Sequence, residues 1–438
     1  MQPAFRLTAI VAALLLGAAA PQPAAVTPLT SAQEHAVIDT ATTLIAKNYV
    51  LVDKRASVVA ELRRREAAGR YAISNPAAFA QALSDDLVEI TQDRHMWFTL
   101  DPEGYKAALL PHDENHSDPL SDAAFVRNNQ GYAEMRILPG NIRYVNLTGF
   151  EWSGAVTAKV IADVARFLHG GDAIILDLSG NGGGAPEAVQ ALASYFLPPD
   201  GRVLMTFHDG RSGKTSQTHV LSKLAGPRLT FIPCYVLISG NTGSAAEEFA
   251  THVRYFKFGT LVGSTTAGAA NNDDVFPVAP FFLQSISFGR PVHPVSGTNW
   301  ERVGVAPDIA APRAQALPAA QVAALTRLMA AASPERKQEY AWALVAAEAA
   351  IKPFKADAAA LGAYAGQYGV RKVWLADDGL AYQREGRDAT TLTPLGPDLF
   401  ALGNSSDQRV QFRRADGRVI GFDILTADGQ RVPAERNP

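Results

Sequence analysis

The stretch Cys234-Tyr-Val-Leu-Ile238, Ser239-Gly-Asn-Thr-Gly243, Ser244-Ala-Ala-Glu-Glu-Phe-Ala-Thr-His252 decides the fold. Its first five residues are apolar β-formers, which predict a buried strand. The next five are turn residues. The segment that begins at Ser244 holds good helix formers, with two acids in its first turn. A strand that enters a helix through a tight turn exposes the side chain at the turn, and unpaired helix N–H groups point towards whatever binds there.

Two roles fit Ser244 at this turn. A nucleophilic serine is presented on such a turn in many hydrolases, although the usual Gly-x-Ser-x-Gly pattern is absent here. Serine is also a preferred N-cap residue, because its side-chain oxygen accepts a hydrogen bond from an unpaired helix N–H. Taken alone, this stretch favours the cap.

The composition of the chain indicates a globular protein that is exported. The 438 residues are 47% hydrophobic and 19% charged, with a net charge of -3, and no basic block suggests nucleic-acid binding. Residues 1–20 predict a signal peptide, with Arg6 before an apolar run and small residues for cleavage near Ala20. The apolar run is shorter than the roughly 20 residues that cross a bilayer. We therefore predict a periplasmic or secreted protein, without stable membrane insertion after signal cleavage.

The mature chain divides into segments of different pattern. Residues 30–95 predict an N-terminal helical subdomain, and residues 96–317 predict a mixed α/β core in which strands alternate with helices. Residues 334–352 predict a linker helix. Residues 359–433 hold short alternating strands with Asp-Gly turns, which predict an all-β accessory domain, either a meander or a small barrel.

Neither a metal nor a cofactor is predicted. The segment His112-Asp-Glu-Asn-His116 matches no standard ligand spacing. The loop Ser179-Gly-Asn-Gly-Gly-Gly184 lacks the lysine and the glycine spacing of nucleotide-binding loops. Backbone N–H groups in such a loop are better suited to hold a substrate oxyanion.

A nucleophilic serine also requires a base. His252 lies two turns beyond Ser244 on the same predicted helix, so its ring cannot reach back. His95, at a helix-to-strand junction, is a candidate, although a single histidine at such a place is usually a surface residue and the residues alone do not select it. Glu301 follows Trp300 and could either orient an imidazole or be solvated.

Four ordered motifs resemble those of the tail-specific serine peptidases, a family that includes the C-terminal processing peptidases, the tricorn core and the interphotoreceptor retinoid-binding protein modules. The motifs are Asp177-Leu-Ser-Gly-Asn-Gly-Gly-Gly184, Thr242-Gly-Ser-Ala-Ala-Glu247, Gly263-Ser-Thr-Thr-Ala-Gly268 and Gly304-Val-Ala-Pro-Asp308-Ile. The resemblance spans roughly residues 93–311. It implies a crotonase-like α/β core with Ser244 as the nucleophile.

The resemblance also distinguishes between two branches of that family. Processing peptidases use a lysine in a Thr-Phe-Gly-Lys motif, and the matching run here is Thr266-Ala-Gly-Ala269; Lys257 does not fit the motif. The tricorn-like and retinoid-binding-like branch has a histidine in its N-terminal region and a glutamate before the Gly-Val-x-Pro-Asp motif. His95 and Glu301 match those positions. No segment near residues 101–120 has the length or the glycine pattern of a PDZ domain, which favours the same branch.

The chain departs from this pattern in two places, Ser179 where arginine is usual and Arg94 where tricorn has serine. Both leave the three catalytic positions in place.

The activity implied by this resemblance is peptide hydrolysis by Ser244, His95 and Glu301. The backbone N–H groups of Gly183 and Ala245 would hold the oxyanion. The expected partner is a peptide or an unfolded protein, and the sequence indicates no oligomeric state. The alternative is a non-catalytic protein of the same fold that binds apolar ligands or peptides.

Overall fold

The computed structural model describes residues 27–110, 119–355, 358–377 and 379–438. The predicted signal peptide and the segment 112–116 therefore lie outside the described residues. Within those ranges, no helix has the length and apolar character needed to cross a membrane.

The helices and strands run in the following order. The helices are α1 (Ser31–Asn48), α2 (Arg55–Ala67), α3 (Pro76–Thr91), α4 (Pro102–Ala108), α5 (Pro119–Arg127), α6 (Ala155–His169), α7 (Pro186–Phe196), α8 (Ala245–Phe256), α9 (Arg313–Ala331), α10 (Pro334–Ile351) and α11 (Ala358–Gly362). The strands are β1 (Phe98–Leu100), β2 (Tyr132–Leu138), β3 (Ile142–Leu147), β4 (Ala173–Asp177), β5 (Val203–Asp209), β6 (Thr215–His219), β7 (Cys234–Ile238), β8 (Thr260–Gly263), β9 (Asn272–Val278), β10 (Phe282–Val292), β11 (Ile309–Ala310), β12 (Gly366–Tyr368), β13 (Arg371–Ala376), β14 (Gly379–Arg384), β15 (Thr390–Gly396), β16 (Leu399–Leu402), β17 (Gln408–Ala415), β18 (Arg418–Thr426) and β19 (Arg431–Glu435).

A six-stranded sheet forms the centre of the α/β core, in the order β11-β8-β7-β4-β3-β2. Adjacent strands of this sheet pair in parallel, except β2 and β3, which pair antiparallel. Every residue of β7 is buried, as expected for a parallel strand covered on both faces. Helices α6, α7 and α8 cover one face, and α9 and α10 cover the other. The carboxyl ends of β4 and β7 therefore present the glycine loop and the Ser244 turn side by side.

The N-terminal helices share a hydrophobic core with a second sheet. Asn75 accepts a hydrogen bond from the Ala78 N–H and caps α3, which starts at Pro76 as predicted. Phe79 of α3 packs against Phe282 of β10, with ring centroids 5.9 Å apart. Strand β1 pairs antiparallel with β10, whose other neighbours are β5 and β9. This packing fixes the segment between α3 and β1, which contains His95.

The C-terminal segment is an antiparallel meander in which β12 to β19 pair in strict sequence order. The Asn437 N–H donates to Gln367 O of β12 at 2.8 Å, so the two ends of the meander meet. Helix α10, predicted as a linker, packs against α9 through the buried Tyr340 and Ala343. The sequence analysis did not predict α9.

Candidate active site

Ser244 stands at the first turn of α8 in an unusual backbone conformation. Its φ of 49° and ψ of -121° lie where residues other than glycine are rare and strained. Its N–H donates to Glu247 Oε2 at 3.0 Å. The side chain is half-buried. Strain of this kind is typical of a residue that is held in place for chemistry rather than for packing.

Hydrogen bonds join the Ser244 turn to the glycine loop. The Gly243 N–H donates to Asn181 O at 3.0 Å, and Ser239 Oγ donates to Ser179 O at 2.6 Å. Asn181 is fully buried, and its Nδ2 donates to Leu147 O at 2.9 Å. The two loops thus form one rigid unit at the edge of the central sheet.

The two predicted oxyanion donors differ in availability. Gly183 has a φ of 125°, and a Cβ there would lie 2.7 Å from Ser244 Cβ, so only glycine fits. Its N–H, however, already donates to Asn181 Oδ1 at 2.9 Å. The Ala245 N–H has no hydrogen-bond partner among the described residues. Ala245 is therefore the donor that is free in this arrangement.

Glu247 holds the next loop against the Ser244 turn, a role that the sequence analysis missed. It is fully buried. Besides the Ser244 N–H, it accepts from Thr266 Oγ1 at 2.5 Å and from the N–H groups of Gly268 and Ala269 at 2.7 and 2.8 Å. Burial raises the pKa of its carboxyl, and these donors oppose that rise.

His95 lies in the turn between α3 and β1, mostly buried. Its backbone N–H donates to Asp93 Oδ1 at 2.9 Å, and its ring Nδ1 is 3.7 Å from the same oxygen. Nδ1 is buried without a hydrogen-bond partner among the described residues. Burial lowers the pKa of the ring, but interactions with Asp93, Asp273 and Glu301 outweigh it, so the pKa is raised overall.

Glu301 is fixed through one of its two carboxylate oxygens. Oε2 accepts from the N–H groups of Ala270 and Asn271 at 2.7 and 3.2 Å. Oε1 is buried and has no partner in the described part of the chain. Burial, followed by the charge of Asp93, raises the pKa of Glu301 to about 6.

Asp93 is a second carboxylate at the same place, and the sequence analysis assigned it no role. It is 1% exposed, and Asn271 Nδ2 donates to its Oδ2 at 2.8 Å. Burial favours the neutral form, but hydrogen bonds from His95 and Asn271 overcome it and hold the pKa below its usual range. Ligating atoms of Asp93, His95 and Glu301 all lie within 4.8 Å of one another.

The structure thus brings His95 and Glu301 together and connects them to Ser244 through one loop. Residues 266–271 bind Glu247 at one end and Glu301 and Asp93 at the other. No direct hydrogen bond joins Ser244 to His95 within the described ranges. Lys257 is exposed at the far end of α8, about 20 Å from Ser244 by helical rise.

A cavity of ≈530 Å³ lies between the start of α7 and the second sheet. Its walls include Pro186 at the start of α7, just after the glycine loop, and Asn272, which follows the loop that binds Glu301. Phe207 and Phe288 supply apolar surface from the second sheet.

Comparison with known protein families yields a match over part of the chain. Residues 141–311 match the model of Peptidase family S41. The chain carries a peptidase family S41 domain. It is accordingly a serine-type peptidase, and the resemblance inferred from the four motifs is confirmed. The S41 domain contains Ser244, the glycine loop and Glu301, whereas Asp93 and His95 come from the preceding segment.

Three solved structures similar to the chain are of low sequence identity. A lipoprotein from Streptococcus agalactiae is 16% identical with a TM-score of 0.43, over 68% of this chain and 98% of that one. The photosystem II D1 C-terminal processing protease is 17% identical with a TM-score of 0.42, over 65% of this chain and 94% of that one. The tricorn protease is 12% identical with a TM-score of 0.39, over 65% of this chain and 35% of that one.

Proposed function

We propose that this chain is an exported serine peptidase that cleaves peptide bonds through an acyl-enzyme, with Ser244 as nucleophile and His95 as base. The observation that carries the proposal is the convergence of His95 with Glu301 and Asp93 within 4.8 Å. The loop 266–271, which binds Glu247 of the Ser244 turn, also binds Glu301 and Asp93. Export is inferred from residues 1–20. The crotonase-like character of the core belongs to the same proposal.

The mechanism begins with attack of Ser244 Oγ on a peptide carbonyl carbon. His95 Nε2 accepts the hydroxyl proton and later gives it to the leaving amine as the C–N bond breaks. A water then hydrolyses the acyl-enzyme by the same proton route. A carboxylate beside Nδ1 keeps the ring proton on Nδ1, so that Nε2 stays an acceptor. Glu301 serves this purpose, and the ionised Asp93 adds to the stabilisation of the imidazolium.

The oxyanion of the tetrahedral intermediate would accept from the Ala245 N–H. The Gly183 N–H can be the second donor only when it exchanges Asn181 Oδ1 for the substrate oxygen. The substrate is a peptide or an unfolded protein.

The test is hydrolysis of an unstructured fluorogenic peptide by purified variants. Ser244→Ala and His95→Ala should each lower kcat/KM by at least about 10⁴-fold, because removal of either group stops the proton transfer. Lys257→Ala is the matched control and should retain the activity of the unmodified chain, because Lys257 lies at the other end of α8. Folding is checked by circular dichroism.

Two results would refute the proposal. Undiminished turnover by Ser244→Ala would exclude the nucleophile, and loss of activity in Lys257→Ala with an active His95→Ala would exclude the base. If the unmodified chain binds the peptide without cleaving it, the alternative of a non-catalytic binding protein is supported instead.

A further inference from the structure

The cluster of Asp93, His95 and Glu301 contains buried polar atoms that make no hydrogen bond to the described residues. His95 Nδ1 and Glu301 Oε1 are both buried without a hydrogen-bond partner among the described residues. Unpaired polar atoms in a protein interior are unfavourable, and each such atom calls for an explanation. The two atoms belong to groups whose ligating atoms lie within 4.8 Å, together with the side chain of Asp93.

Hydrogen bonds from neighbouring residues hold the two carboxylates of the cluster in fixed orientations, as they do for carboxylates that bind metals. Glu301 Oε2 accepts from the N–H groups of Ala270 and Asn271. Asp93 Oδ2 accepts from Asn271 Nδ2, and Asp93 Oδ1 accepts from the backbone N–H of His95. Asp93 Oδ1 also lies 3.7 Å from His95 Nδ1, and Glu301 Oε1 is buried without a hydrogen-bond partner among the described residues. Hydrogen bonds from neighbouring groups to the residues that bind a metal fix the direction of those residues, and such bonds are a regular feature of metal sites.

The ligand set selects among cations. One imidazole nitrogen with two carboxylates is a combination that suits zinc and its substitutes such as cobalt. Calcium and magnesium prefer sites made of oxygen alone, with six or more ligands. Two carboxylates also provide the charge that neutralises a divalent cation when it leaves water.

We propose that Asp93, His95 and Glu301 bind a zinc-type divalent cation, and that this binding switches the peptidase off. The inhibitory half rests on the proposed function. The cation takes the lone pair of His95 Nδ1, so the single proton of the neutral ring must sit on Nε2. With a proton already on Nε2, the ring cannot accept the proton of Ser244 Oγ. The carboxylates that orient the base for catalysis thus also provide the means to block it.

Binding is measured first with Co²⁺ on the Ser244→Ala variant, in which peptide hydrolysis plays no part. We expect one Co²⁺ per chain, with the visible absorption of a low-symmetry site, displaced by Zn²⁺ but not by a tenfold excess of Mg²⁺. His95→Ala in the same background should abolish that absorption. Glu301→Gln should weaken Co²⁺ binding. Because glutamine has nearly the same shape as glutamate, this variant still tests the site if His95→Ala disturbs the fold.

Two further variants separate a built site from surface binding. Asn271→Ala keeps all three ligands and removes one orienting bond, so Co²⁺ affinity should fall by about 10- to 100-fold. The matched control is His35→Ala. His35 is exposed and lies 2.7 Å from Glu66 and 3.4 Å from Asp39, so it offers a histidine–carboxylate group outside the site. Its loss should leave the Co²⁺ spectrum and affinity unchanged.

The outcomes distinguish the two halves of the inference. Co²⁺ binding that survives His95→Ala, or that is lost in His35→Ala, would overturn the site. In the Ser244-containing chain, Zn²⁺ should lower kcat/KM and a chelator should restore it; unchanged kcat/KM with Zn²⁺ bound would overturn the inhibitory role. If the metal-free chain hydrolyses no peptide, the proposed function fails, while the Co²⁺ measurements still decide the site.

Discussion

Replacing Glu247 with glutamine should weaken the attachment between the Ser244 turn and the loop 266–271. The carboxylate accepts four hydrogen bonds in a fully buried position, two at each oxygen. The glutamine amide keeps only one acceptor oxygen. Its NH₂ group must therefore face either the N–H groups of Ser244 and Ala269 or the donors of Gly268 and Thr266.

The magnitude follows from the two donors that lose their acceptor. Each buried donor left unsatisfied costs about 1–3 kcal/mol, so Glu247→Gln should lower the free energy of unfolding by about 2–6 kcal/mol. That is a large part of the roughly 5–15 kcal/mol that stabilises an ordinary domain. The activity should fall as well, because the same bonds keep Ser244 at the position that the base must reach.

The assay is guanidinium unfolding followed by circular dichroism, with kcat/KM on the unstructured peptide measured under native conditions. The matched control is Glu335→Gln, an exposed glutamate in the first turn of α10, which should change stability by less than about 0.5 kcal/mol. If Glu247→Gln matched the unmodified chain in both stability and activity, the carboxylate would not be what holds the loop to the turn.

Three further predictions concern the chemistry. Only the neutral ring of His95 can accept a proton, and the pKa of this ring is raised, so activity should fall to half at a pH above 6.5 as the solution is acidified. Glu301→Gln should move that midpoint to lower pH. An unmoved midpoint would mean that Glu301 does not act on the ring. Glu301→Gln should lower kcat by about 10⁴-fold, because Glu301 keeps the ring proton on Nδ1, and Asp93→Asn should lower kcat by less; a larger loss in Asp93→Asn would contradict the assignment of Glu301 as the orienting carboxylate. Asn181→Asp removes the donor to Leu147 O, and should lower stability by about 1–3 kcal/mol in the unfolding assay; an unchanged midpoint would show that the loop needs no such bond.

The sequence predicts the surroundings of Ser244 well because their signals are local. Apolar β-formers, turn residues and helix formers follow one another within a few positions, and β7 ends at Ile238 while α8 begins at Ala245. The start of α3 at Pro76 is predicted for the same reason, since a cap and a first-turn proline are adjacent. The alternation of strands and helices also predicts the central sheet.

The parts that the sequence analysis missed depend on contacts between distant residues. Asp93 binds Asn271 across 178 positions, so nothing near Asp93 distinguishes it from an ordinary residue at a helix end. Glu247 is taken for a first-turn acid, because its partners lie in another loop. Helix α9 contains Pro318, which locally argues against a helix. Strand β10 is identified only by its partners β1, β5 and β9.

The loop 266–271 has a consequence for how changes in the site combine. Glu247 and Glu301 bind consecutive parts of this one segment, and the two sets of contacts meet at Ala269 and Ala270, which are adjacent in the chain. A shift of the segment therefore changes the surroundings of Ser244 and of His95 at once. In a double-mutant cycle, substitutions of Glu247 and Glu301 should show a coupling energy beyond the roughly 0.5 kcal/mol expected of independent positions. The nucleophile and the base would then behave as a single cooperative unit, which gains or loses its competent arrangement as a whole.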